Sequence, residues 1–236
     1  MVGRPPKVGH VRAAFMRESE SARDLMLAVQ QVSALNPNSG GPRLHPKQAR
    51  RVVELAFLGL MSSWEEFLEQ SFVRYLAGAK ADDGSNPPLR VGQSSGIPHS
   101  YQLISGDPSF DPEKNYSKFG DPKWVIAISK NYFEHGAPYA ALLQANLEIL
   151  QHAVRLRNRV AHNSTKCRED FKRSARLHLG LAADAGLTQG YSVGDLLLSP
   201  AARIFGQEAR DNNRTYFYAY AVKFRQMARR ICPINR

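Results

Sequence analysis

An all-α fold, a helical bundle of four to five main helices, is the architecture this sequence predicts. Three observations carry it. Apolar residues recur at helical spacing along extended stretches without internal proline. Segments rich in Pro, Gly and Asn separate those stretches. Strand-like runs do not alternate with them, as a βαβ architecture would require. The 236 residues are 43% hydrophobic and 22% charged, which suffices for one domain with a real core and argues against general disorder.

Taken in order, residues 1–10 are basic, contain Pro5-Pro6 and read as a flexible tail outside a single domain spanning 11–236. A first helix is expected over 11–35, with Val11, Phe15, Leu25, Val29 and Val32 on its apolar face, and the Asn36–Pro42 stretch breaks it. A second helix runs from about Pro46 to Ala79. On a wheel of about 100° per residue, Phe57, Leu60, Met61, Trp64, Phe67, Leu68, Phe72, Tyr75 and Leu76 fill one broad arc. Residues 80–122 are rich in Gly, Pro and Ser and read as a long loop insertion. A short helix follows over Pro122–Phe133 and stops at Gly136-Ala137-Pro138. A third long helix is expected over Tyr139–Asn163 and another over 166–181. Leu187–Leu198, with Gly190 and Gly194 between apolar residues, predicts a small C-terminal β-hairpin. A last helix, 208–231, carries Tyr216, Phe217, Tyr218 and Tyr220. Aromatics so spaced either stack on bases or fill a core, and the core is the commoner use.

Charge narrows the function. Lys and Arg number 32 against 21 acids, a net +11 that attracts polyanions. Nucleic acid, or another phosphate-rich partner, is expected from this charge, and no helix-turn-helix or zinc-finger pattern supports DNA. The two cysteines, Cys167 and Cys232, have no metal-ligand spacing, so no metal and no cofactor are expected. Their scarcity fits a reducing, cytoplasmic setting. No segment has the apolar length of a membrane span, and no signal core follows the N-terminus.

The informative stretch is Arg157-Asn158-Arg159-Val160-Ala161-His162, late in the third long helix. With Leu143 at zero, Leu147, Leu150, Val154 and Ala161 fall within roughly 40° of it, and Arg157 falls at about 320°, inside the same arc. A guanidinium there needs an anionic partner, a wet cleft or a subunit interface. Asn158 falls at about 60° and His162 at about 100°, so these two are neighbours, while Arg157 and His162 are about 140° apart. They converge if Arg157 bends round, if the last turn loosens, or if a second copy approaches. On the second helix Glu65 edges the apolar arc and Glu66 lies outside it, which makes Glu65 the candidate carboxylate for Arg157. Plainer readings exist for each residue: an arginine that snorkels or closes an internal ion pair, and a histidine that caps a helix.

The Arg-Asn-x-x-x-His form at a helix end resembles the signature of the HEPN superfamily. Trp64-Glu65-Glu66-Phe67 on an earlier helix resembles its prokaryotic RiboL-PSP-HEPN branch. The motif covers six residues and the helical layout about 45–165. The resemblance implies a four- or five-helix bundle, a homodimer whose motifs face each other at the two-fold interface, and a metal-independent endoribonuclease. It also implies a toxin or antiphage, abortive-infection setting, with an antitoxin or defence-system protein as a further partner. Arg157 and His162 would be the principal catalytic residues and Asn158 the auxiliary one, with Arg155 and Arg159 beside them to hold RNA. Two alternatives stand beside this reading: a non-catalytic module of the same fold that binds RNA, nucleotide or protein, and a structural protein whose basic helices merely contact anions.

Overall fold

The structure, a computed structural model, describes residues 7–34, 44–115, 118–201, 203–206, 209 and 214–234. The Asn36–Pro42 break, most of the N-terminal tail and part of the expected start of the last helix lie outside them. The chain is all-α. Among the described residues the helices are α1 (Gly9–Ala34), α2 (Pro46–Leu76), α3 (Ile97–Ser105), α4 (Pro122–Tyr132), α5 (Ala140–Ala145), α6 (Leu147–Ala161), α7 (Thr165–Leu179), α8 (Val193–Leu198) and α9 (Tyr216–Ile231). Five of these, α1, α2, α6, α7 and α9, run fifteen residues or longer. α1 begins at Gly9, and Val8 before it is buried, so the tail expected over 1–10 overlaps an ordered helix start.

Contacts divide the chain into two compact units. The first contains residues up to Arg17, Ser63–Leu150 and those from Phe224 onward. Its core joins Phe15, Trp64, Phe67 and Phe224, and Trp64 stacks on Phe224 at 5.2 Å. A second aromatic group surrounds Phe72, with Phe119, Phe133 and Tyr139 packed on it at 4.9–5.5 Å. Pairs of this kind add about 0.5–1.5 kcal/mol each beyond the area they bury. The Tyr75 hydroxyl donates to the Ile231 carbonyl, and Arg12 donates to that of Cys232, which satisfies two carbonyls at the end of α9.

The 80–122 segment belongs to this unit and is better ordered than a loop. Lys80 pairs with Lys7, Leu89 pairs with Phe133, and α3 forms within it. Pro98 sits in the first turn of α3, where its missing N–H costs nothing, and Gly106 closes the helix in the left-handed region at φ 71°. α4 begins where Asp121 accepts a hydrogen bond from the Lys123 N–H.

The second unit contains Glu18–Ser62 and Gln151–Lys223. Phe57 packs edge-on against Phe217 and Tyr220, and Leu156, Phe171, Ala175, Leu196 and Leu197 complete the core. The Leu187–Leu198 hairpin is not formed; its second half is helix α8. Ser192 accepts from the Asp195 N–H, and the Asp195 carboxylate takes the Ser192 N–H in return, a reciprocal cap that starts a helix. Gly194 serves close approach rather than a turn. A Cβ there would stand 2.6 Å from the Arg50 carbonyl oxygen on α2. Arg50 and Asp195 form a 2.8 Å ion pair across the same contact.

The third long helix is interrupted at Asn146. Its backbone N–H donates to the Leu143 carbonyl, while its side-chain amide takes the Leu142 carbonyl that the regular ladder would use. Side-chain competition of this kind breaks α5 from α6.

Candidate functional site

The buried face of α6 is formed by Leu150, His152, Ala153 and Leu156. Arg157 lies about 60° from the centre of that arc. It is half-buried, at the edge of the apolar stripe.

The Arg157 guanidinium donates to the Asn158 side-chain carbonyl at 3.0 Å. The contact joins neighbouring side chains, and Asn158 lies one helical turn before His162. The last turn stays closed, since the His162 N–H still donates to the Asn158 carbonyl at 2.8 Å. His162 follows the final residue of α6 and is exposed. Arg159 donates to the Asn163 side chain at 3.0 Å, which fixes the short connection to α7. Ser164 caps α7 by accepting from the Cys167 N–H. Arg155 and Arg159 are half-buried.

One short helix end thus presents two hydrogen-bonded groups, a guanidinium and an amide, beside an exposed imidazole. A guanidinium can hold two phosphate oxygens. An imidazole exchanges protons near neutral pH. Glu65 lies midway along α2 in the first unit, half-buried, and Glu66 is exposed, in the order the wheel gives.

The sequence missed a second polar cluster, in the core of the second unit. His152 and His178, far apart in the chain, come within 5.1 Å ring to ring. His178 Nδ1 lies 2.7 Å from the Ser174 carbonyl and must carry its proton there; Nε2 then accepts from the Tyr220 hydroxyl at 2.9 Å. His152 Nδ1 meets the Ser174 hydroxyl at 2.9 Å, and the Tyr216 hydroxyl donates to the His178 carbonyl. Burial lowers the His178 pKa to about 4, with His152 pushing the same way. The available signal was the pairing of Ser174 with His178 four residues apart on α7 and the place of His152 beside Ala153 and Leu156. Tyr216, Phe217 and Tyr220 are buried and Tyr218 half-buried, so the C-terminal aromatics are mainly core.

Among the described residues no helix is long and apolar enough to cross a membrane. Comparison of the chain with protein-family models, with curated proteins and with solved structures gives no match.

Proposed function

We propose that the protein is a metal-independent endoribonuclease of the HEPN type, with its site at the end of α6. The observation that supports this reading is the hydrogen bond from Arg157 to Asn158, the residue one helical turn before the exposed His162. RNA brings its own nucleophile, the 2′-OH. His162 exchanges the proton of that hydroxyl or of the leaving 5′-oxygen. Arg157 stabilises the negative charge that develops on phosphorus-bound oxygens, and Asn158 holds Arg157 in place. Products are a 2′,3′-cyclic phosphate, or the phosphate it opens to, and a 5′-hydroxyl. Arg155 and Arg159 flank the site and contact the backbone of the RNA. The protein acts as a homodimer with two α6 ends facing one another, as a toxin or antiphage effector held in check by a partner protein.

The test is cleavage of labelled RNA by the purified chain, with and without EDTA. His162→Ala and Arg157→Ala are each expected to lower the rate by about 100-fold or more while EDTA leaves it unchanged. Wild-type rates in His162→Ala, or loss of activity with EDTA, would refute the mechanism. RNA binding without cleavage would assign the chain to the non-catalytic alternative. An equal mixture of the two single variants asks whether the site spans two copies: recovered activity means that one copy's arginine works with the other's histidine.

A further inference from the structure

A cavity of about 340 Å³ opens within the first unit, between the segment that carries α3 and the start of α4. Its walls are aromatic. Tyr101 and Phe110 stack at 6.1 Å and 18°, and Phe119 and Trp124 meet edge-on at 5.2 Å. Tyr101 and Phe119 are buried, whereas Phe110 and Trp124 are half-buried and offer ring surface to a ligand. Asp107 and Lys118, both exposed, supply the charges.

The walls are fixed before any ligand arrives. The Tyr101 hydroxyl donates to Glu69 at 2.8 Å and accepts from Gln70 at 3.0 Å, and Arg74 donates to the Gln70 side chain. Phe119 rests on Phe72 in the core at 5.5 Å. The Tyr132 hydroxyl on α4 donates to the Leu103 carbonyl on α3. Oδ1 of Asp107 accepts both the N–H and the hydroxyl of Ser109, at 2.8 and 2.7 Å. That leaves Oδ2 to accept from a ligand.

We infer that this cavity is a nucleotide pocket in which a base stacks on Phe110 and Trp124, its amino group donates to Asp107, and its phosphate pairs with Lys118. The choice of a nucleotide rests on the reading of the protein as one that handles RNA. The physical match is independent of that reading: flat apolar walls, one hydrogen-bond acceptor, one cation, and a volume near the lower end of the roughly 300–1,000 Å³ that small-ligand sites span. Aromatic surfaces beside a cation are the usual means of holding an unpaired base, at about 1–3 kcal/mol per stacked base. Because uracil lacks an amino group, the pocket prefers adenine, cytosine or guanine.

Trp124 reports on the pocket directly, since the other tryptophan, Trp64, is buried in the core. The experiment titrates the full-length chain with AMP, UMP, adenosine, inorganic phosphate and indole while following tryptophan fluorescence. Saturable change with AMP is expected, at least threefold tighter than with UMP. Phe110→Ala should weaken AMP about tenfold or more. Lys118→Ala, a change at an exposed side chain, should weaken AMP several-fold and leave adenosine unaffected. His162→Ala should bind AMP as the wild type does, so an inactive nuclease would not sink this proposal, nor would an active one rescue it. No saturable change up to about 10 mM AMP would overturn it. So would AMP affinity within twofold of wild type in a folded Phe110→Ala protein, or tighter binding of indole than of AMP.

Discussion

His178 sits against His152, the Tyr216 ring, the Tyr220 hydroxyl and the Ser174 carbonyl, and burial there favours the neutral ring. An unfolded histidine titrates near 6.5, whereas the folded one holds off protonation until about pH 4. The unfolded state therefore binds the extra proton first. The stability this residue contributes is fully present above about pH 6.5 and falls as pH drops through the window down to about 4, by about 3 kcal/mol in all. Urea unfolding of wild type and His178→Gln at pH 7 and pH 4.5 checks this. The loss between the two pH values should be clearly smaller in the variant. An NMR titration that placed His178 near 6.5 would sink the argument. A similar locality governs the motif: Arg157 and Asn158 are hydrogen-bonded side chain to side chain, a contact between sequence neighbours that a helical wheel does not show.

Helices show best what periodicity can and cannot carry. All nine residues assigned to the apolar arc of α2 are buried. The continuous pattern of α2, without a competing side chain, let a wheel run its length. On α1 the pattern was weaker: Val11, Phe15 and Val29 are buried as expected, but Leu25 and Val32 are exposed and Met26 is buried instead. The wheel could not show the break at Asn146, where one amide takes a carbonyl from the helix ladder. It put Arg157 inside the apolar arc, whereas the side chain is half-buried at the edge. Gly190 and Gly194 read as turn residues of a hairpin, although Ser192 followed three positions later by Asp195 was a legible capping signal for α8. The function of Gly194 depends on a distant segment and has no local signature. Gly194→Ala is expected to destabilise the protein by about 1–3 kcal/mol, because its methyl would meet backbone of α2 that cannot swing aside. Chemical unfolding measures this. Gly186→Ala, with open space around it, is the matched control and should change stability little.

The net charge of +11 acts at the scale of the whole molecule. If RNA is its ligand, affinity must fall with salt, and the slope counts the phosphates neutralised, at about 0.7 per phosphate for single strands. Replacing Arg155 and Arg159 together by Ala should make the slope shallower by about 1.4 when each contacts one phosphate. An unchanged slope would move the contact surface elsewhere. The two compact units have a further consequence, which concerns synthesis rather than binding. Neither is a continuous stretch of chain: the second needs residues up to Lys223 to join Glu18–Ser62, and the first is finished only by residues from Phe224 onward. Neither unit can close before its last segment has left the ribosome. Arg12 and Tyr75 wait for the carbonyls of Cys232 and Ile231, 220 and 156 residues further along the chain. Helices made before those segments stay exposed meanwhile and need shelter from aggregation for the whole of that interval.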